Sequence, residues 1–462
     1  MRKRTHVLLC MVLFASLSFS REDPEGHVFS LDSALETAIQ ENPLAKVSLL
    51  EIQKANLEVK KARQRRFIPR LDFDLKTGLV SGPRGDAPAI PEGRDVLEGW
   101  GPFVKLNLGL VEPIYTFGKL RSATEAREHL LEMTESNRDN MLEMLSMEVV
   151  KAYWGLSSTI KAVSLSGELR EKYDELVTEV QKRLEDEESE VDDTDLLEVQ
   201  TFFFNIEEIY LESQDLKALS LKTFNMLLDR DFNDPVSTSD EPPPEFGLDE
   251  NHVDDILEMA EAHRTELRAA NAGIRALEAK TRLERSERLP VVFLAGGFRF
   301  AYAPHRKDEL NPYAYDEWNH LDVGAFIGMK WDPNLFQHDI EIEQSMIEYE
   351  AALKKKQVLK GKIDLEVNQA FMDVRKNEAL LKAARKSLKA AKTWLRISSD
   401  NWDMGIGELR RVREAYQAYY RLLGIEIERE NEYNVSLARL AYVLGDIHLY
   451  VKWVQNGKVL LN

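Results

Sequence analysis

Two periodicities alternate along this chain. Apolar residues at Leu142, Leu145, Val149, Ala152, Leu156, Ile160 and Val163 step by three and four. Val367, Phe371, Val374, Leu381, Ala384, Leu388, Ala391 and Leu395 do the same or skip one heptad, and both runs predict long helices packed along a seam. Elsewhere the period falls to two. Leu71, Phe73 and Leu75 oppose Asp72, Asp74 and Lys76, while Val104, Leu106, Leu108 and Leu110 oppose Lys105, Asn107 and Gly109. Leu294, Phe298, Phe300 and Tyr302 oppose Ala295, Gly297, Arg299 and Ala301; Val323, Ala325, Ile327, Met329 and Trp331 oppose Asp322, Gly324, Gly328 and Lys330. These segments predict strands over residues 68–80, 103–114, 290–302 and 321–332, each roughly ten residues, the length that crosses a bilayer when tilted.

The patterns occur twice in the same order. Leu31 to Arg66 and Val253 to Arg288 are both helix-like; each is followed by a proline and then a strand. Pro69 and Pro290, Pro113 and Pro333, and the helical stretches starting at Val149 and Val367 all stand about 220 residues apart, which marks an internal duplication. The predicted divisions are 1–20, 21–231 (first repeat), 232–250 (linker), 251–446 (second repeat) and 447–462 (C-terminal tail). The linker's FNDPVSTSDEPPPEFG is expected to carry neither helix nor strand. From Lys119 to Arg183 there is no proline, and Gly155 and Gly167 are the only glycines. A helix of that length is on the order of 100 Å long, too long to bury its face in a globular domain, so it must pack beside others.

Residues 1–20, MRKRTHVLLCMVLFASLSFS, read as a secretory signal: a basic start, a short apolar run and small residues before the cut. Beyond them the longest nearly apolar run is Val291 to Phe298, far short of a spanning helix, although a membrane barrel shows no such run. The net charge of −19 argues against nucleic-acid binding. Cys10 is the only cysteine, so no intrachain disulfide and no cysteine-built metal site is expected. Met141, Met144 and Met147 step at helical spacing and read as packing residues. No P-loop, GxGxxG, GxSxG or HExxH stretch occurs; neither enzyme nor cofactor is expected.

Four strands cannot close a membrane barrel, which begins at about eight, and an open sheet in lipid leaves backbone groups unpaired. Several copies must pool their strands, and the attached helices then form a second tube below them. The stretches EPIYTFGKLRSATEA (112–126) and KAYWGL (151–156), with the duplicated order, resemble the TolC-like outer-membrane efflux proteins. That resemblance implies a mainly α fold with membrane β: a homotrimer with four strands per protomer in a shared 12-stranded β-barrel, continued by a long α-helical barrel. It further implies outer-membrane lipid around the strands, a periplasmic helical extension, and docking onto a periplasmic adaptor protein and an inner-membrane pump. The duct would serve efflux or type I secretion without chemistry of its own. The alternative is a periplasmic coiled-coil scaffold or adaptor-like protein without a membrane barrel.

The resemblance also locates site residues. Gly405, Ile406, Gly407 and Glu408 stand where the family turns between coiled helices, an adaptor-contact tip. The first half has instead the acidic run EDEESEVDDTD, 185–195, either a solvated helix end, a docking or cation-attracting ring, or a divalent-ion site; the last is the weakest because the ordered Asp-x-Asp-x-Asp-Gly pattern is missing. Asp195, Glu198, Arg411 and Glu414 match the acidic positions that close the family's entrance, with Arg411 a departure. Arg411 can pair with Asp195 or Glu198 of a neighbouring helix; alternatively, all four are ordinary surface charges.

Overall fold

The computed structural model describes residues 27–81, 99–185, 191–201, 203–239, 241–248, 252–306 and 315–460. Residues 1–20, expected to be a signal, 82–98 and 307–314 of the two strand-to-strand loops, and 186–190 of the acidic run lie outside them.

After β1 (His27–Phe29), Ser30 opens α1 (Leu31–Glu41) with a capping box: the Ser33 amide donates to the Ser30 hydroxyl at 3.2 Å, and the Ser30 amide to the Ser33 hydroxyl at 3.0 Å. Asn42 caps α2 (Pro43–Phe67), whose first position is proline, where a missing amide hydrogen costs nothing. There follow β2 (Arg70–Val80), β3 (Gly101–Tyr115) and α3 (Lys119–Leu184). The first half ends with α4 (Asp193–Gln200), α5 (Phe203–Leu227) and β4 (Val236–Thr238). The second half repeats the order as α6 (Val253–His263), α7 (Thr265–Glu287), β5 (Val291–Tyr302), β6 (His320–Lys330), α8 (Leu335–Asp403), α9 (Leu409–Val443) and α10 (His448–Asn456).

Two segments are more ordered than the sequence predicts. Within the linker, β4 pairs in parallel with β1, His27 opposite Val236; Pro235 precedes the strand and gives its carbonyl to the His27 amide at 3.1 Å, so the proline never interrupts the ladder. The tail holds α10, which buries Tyr450 and Trp453.

The four long strands form one antiparallel sheet in the order β2-β3-β5-β6. Directly opposed residues share a face. One row reads Phe73, Leu108, Phe298, Val323, and the next reads Asp74, Asn107, Arg299, Asp322. The apolar face packs on nothing in the protomer: Phe73 is 68% and Val323 76% exposed. Among the described residues β2 and β6 each have a strand on one side only.

Each strand runs into its own helix, and α2, α3, α7 and α8 pack side by side in the order of their strands. Farther down, α5 lies against α3, α3 against α9, and α9 against α8. The main core sits at mid-length, where Tyr153 and Leu156 of α3, Ile256 of α6, Val367 and Phe371 of α8 and Leu437 of α9 meet α1 and α10. Its hydroxyls are satisfied: Tyr433 donates to the Pro244 carbonyl at 2.8 Å and Tyr450 to Asn434 Oδ1 at 3.1 Å. Arg264, only 4% exposed, is held by Glu366 at 2.7 Å and Glu266 at 3.0 Å, so the break between α6 and α7 is tied to α8.

Glu143 of α3 accepts the Ile447 amide at 2.8 Å, just ahead of α10. Burial, aided by nearby Asp446, raises its carboxyl above the usual 4.5 despite that hydrogen bond. A raised acid costs stability as pH climbs from its unfolded value through its folded one. Glu143→Gln keeps the acceptor and removes the charge, so unfolding midpoints of wild type and variant are expected to coincide at pH 4.5 and diverge in the variant's favour above it. Glu143→Ala strands the buried amide and is expected to lose about 1–3 kcal/mol at every pH; equal pH slopes for wild type and the glutamine variant would refute this account.

Candidate functional site

At the lower end of the long helices lies a small separate core, with Tyr173 and Val180 of α3, Val199 of α4, Ile206 of α5, Trp402 of α8, and Leu409 and Val412 of α9. Over it α8 turns into α9. The Gly405 amide donates to the Trp402 carbonyl and the Ile406 amide to the Asn401 carbonyl, both at 3.0 Å, the paired bonds that close a helix through a left-handed residue. Gly405 supplies that residue with φ 71°. Gly407 is needed for a different reason: a Cβ there would come within 2.8 Å of the Trp402 backbone nitrogen. Ile406 is 75% exposed at the apex. Glu408 lies beside Arg411 and Arg410, at 3.7 and 3.9 Å.

Arg183, near the end of α3, clamps the turn from below. Its Nη1 donates to the Trp402 carbonyl at 3.0 Å, and its guanidinium carbon lies 4.3 Å from the centre of the Trp402 ring. A cation on the last carbonyls of α8 also complements the helix dipole. Glu179 holds the same arginine at 2.8 Å.

In the first half, Asp192 caps α4 by accepting the Thr194 and Asp195 amides at 2.8 and 3.0 Å. Asp195 returns the bond, accepting the Asp192 amide at 3.2 Å, so its carboxylate serves its own helix. Glu198 is taken by Arg413 of α9 at 2.5 Å. Within the protomer, therefore, Arg411 meets neither Asp195 nor Glu198. The reason is helical phase: Leu409 and Val412 are buried, and residues two apart lie about 200° apart around the helix. Arg413 thus faces α4, while Arg411 projects away, its side chain 70% exposed. Glu414 is exposed as well. The structure joins Glu198 to α9 but does not bring all four expected residues together. Arg413, Arg183 and Trp402 escaped sequence reasoning; Arg413 could have been found because it borders the apolar stripe Leu409, Val412, Tyr416, where long cations lay their stems.

At the other end, the polar face of the sheet lines an open hollow of about 930 Å³. Arg299 and Asp322 pair across strands at 3.2 Å, Lys76 and Asp74 along one strand at 3.2 Å, and Asn107 donates to Asp74 at 3.4 Å. Gly109, Gly297 and Gly324 form the adjoining row and keep it shallow. Among the described residues, no group of three His, Cys, Asp or Glu is placed to hold a metal ion, and no helix is long and apolar enough to cross a membrane.

The turn makes a local prediction. Gly407→Ala must push the α8–α9 turn off the Trp402 backbone at a cost of about 1–3 kcal/mol, and hydrogen exchange of amides 401–409 is expected to speed up by roughly tenfold or more. Gly424→Ala on α9, which meets nothing within 4 Å, is expected to leave exchange in the turn as it is; equal effects of the two would mean that the close approach is not what holds the turn.

Residues 256–446 match the outer membrane efflux protein family. A search of curated proteins by sequence finds no match. Solved structures agree in fold at low identity. A membrane protein from Pseudomonas aeruginosa superposes with a TM-score of 0.73 at 16% identity, covering 91% of this chain and 92% of its own. The CmeC outer membrane channel of Campylobacter jejuni gives 0.71 at 15%, covering 93% and 89%, and the open state of the MtrE outer membrane channel of Neisseria gonorrhoeae gives 0.69 at 16%, covering 90% and 89%. Residues 256–446 thus resemble the outer membrane efflux protein family, and the chain shares its fold with the solved CmeC and MtrE outer membrane channels.

Proposed function

We propose that this chain is one protomer of a trimeric exit duct, a passive conduit across the outer membrane and the periplasm in a tripartite efflux or type I secretion system. The observation that carries the reading is the sheet. Its apolar face is bare, its other face is polar, and β2 and β6 each lack a partner on one side among the described residues. Lipid supplies no hydrogen bonds to such edges, so β6 of one copy pairs with β2 of the next, and three copies close a 12-stranded barrel. The helices below, laid out in strand order, then close into a tube.

In this reading the tips face the inner membrane. Gly405, Ile406, Gly407 and Glu408 form the surface that meets the adaptor, and the exposed side chain of Ile406 is the apolar anchor such a contact requires. Asp195, Glu198, Arg411 and Glu414 surround the aperture. Arg411 and Glu414, free of the α4–α9 contact, are available to neighbouring copies, each such pair being worth about 0–1 kcal/mol. A scaffold without a barrel would leave Phe73, Val323 and Ile327 in water, an apolar patch that soluble proteins avoid; salt washing distinguishes the two, because the scaffold comes off membranes and the duct stays.

A basic residue on the lipid-facing side costs about 2–4 kcal/mol at the bilayer midplane. Val323→Arg is therefore expected to abolish the membrane-embedded oligomer, whereas Asn107→Arg on the polar face should keep it; oligomers surviving both in mild detergent would overturn the placement of the faces. Purified protein in planar bilayers is expected to conduct in discrete steps. Arg411→Ala and Glu414→Ala should raise closed-state leakage, and unchanged leakage in both would remove these residues from the aperture.

A further inference from the structure

One large cavity has no part in what has been described so far. Side by side, α2, α3, α7 and α8 enclose a groove of about 1100 Å³ that begins at Lys119 and Glu287, next to the sheet, and runs down α3 as far as Asn137. It touches all four helices, including the two outer ones, as a hollow on the concave side of a curved layer would. Its floor is apolar, with Leu120, Leu130 and Met133 from α3, Ile274 and Leu277 from α7 and Leu359 from α8.

Its charge is one-sided. Among the described residues Glu58 and Glu287 are the only acids lining it, and each already faces a lysine: Glu58 lies 3.7 Å from Lys61, and Glu287 pairs with Lys119. Lys280 is matched from outside by Glu348 at 2.6 Å. That leaves Arg65 on α2, Arg127 on α3, and Lys355 and Lys356 on α8. Among the described residues none of these has an ion-pair partner. In a chain with net charge −19, four unmatched cations converging on one apolar-floored groove are a local reversal of sign. Such a cleft focuses field toward anions, and its low-dielectric walls weaken screening. The volume slightly exceeds the usual range for organic-ligand sites, enough to admit an organic anion with room for water.

We infer that this groove is a transit site for amphiphilic organic anions, the apolar body lying on the α3–α7 floor and the carboxylate or sulfonate meeting Arg65, Arg127, Lys355 and Lys356. The inference rests on the conduit reading, in which the concave side faces the lumen, and it adds a substrate class. The test uses full-length protein in planar bilayers and two probes with the same ring system and opposite charge, 1-pyrenebutyrate and 1-pyrenemethylammonium. The anion is expected to block current at a roughly tenfold lower concentration than the cation, equivalent to about 1.4 kcal/mol. With Arg65→Gln, Arg127→Gln, Lys355→Gln and Lys356→Gln combined, the two probes are expected to come within about twofold while the unblocked current persists, since the lost attraction is electrostatic. Lys355→Gln with Lys356→Gln alone should fall between, which keeps the test decisive if the fourfold variant does not assemble. Equal block of the wild type, a preference for the cation, or an anion preference that survives the substitutions would overturn the groove's role and leave the conduit standing. A wild-type protein that passes no current would overturn the conduit, and the groove's role with it.

Discussion

The whole architecture depends on how the backbone of β2 and β6 is satisfied. Each inner strand, β3 and β5, has neighbours on both sides; among the described residues each outer strand has one. In water an open edge is tolerable, and proteins usually blunt it with charge, proline or a short strand. Here β2 has 11 residues and alternates Leu, Phe and Leu with charged residues, and β6 has 11 and is equally regular. Edges so long, beside a bare apolar face, are what the proposed pairing between copies in lipid would use, because an unpaired amide or carbonyl costs several kcal/mol there. The helices inherit their lateral order from the strands, so in the proposed assembly closing the sheet would close the tube as well.

The duplicated halves are held together by different means along the molecule. At the sheet, β3 pairs with β5 along its length, so the two repeats share backbone hydrogen bonds. At mid-length the bond is hydrophobic, α3 and the α8–α9 pair burying Tyr153, Val367 and Leu437 in one core. At the tip the core shrinks and charged groups take over, with Arg183 reaching from α3 to the Trp402 carbonyl and Arg413 from α9 to Glu198. Interactions of this last kind, at partly exposed positions, are individually weak. At the tip they add to the small apolar core around Trp402, Leu409 and Val412.

Much of this was legible before any coordinates. Strand faces follow from a binary alternation, so Phe73 and Asp74 could be assigned to opposite sides by sequence alone, and the helical seams follow from apolar steps of three and four. The short pieces were illegible. A strand of three residues such as β4 contains no period, and its partner β1 lies some 200 residues away. At the tip, the turn glycines locate the bend, but which arginine of α9 faces α4 depends on helical phase relative to the buried stripe. The resemblance pointed to Arg411, whereas Arg413 has the phase that faces α4. Gly407 illustrates another limit, since its need for a bare Cα comes from the Trp402 backbone folding back over it, a contact that no local pattern announces.

Net charge describes the chain poorly as a wall. Along the sheet's polar face acids and bases alternate closely enough to cancel, Arg299 against Asp322 and Lys76 against Asp74. The groove just below carries unmatched cations, and α4 at the tip begins with Asp192, Asp193 and Asp195. Acids elsewhere produce the overall negative sign, many of them paired along helices, as Glu125 is with Arg121 and Arg282, which lower its pKa. In the proposed conduit a solute would therefore meet successive zones of different sign over the roughly 100 Å length of α3, at separations exceeding the ~8 Å screening length of physiological salt. Zones separated in this way act on a solute one at a time, so its passage is governed by the local charge of each zone, and the negative total has little bearing on which solutes the middle of the wall favours.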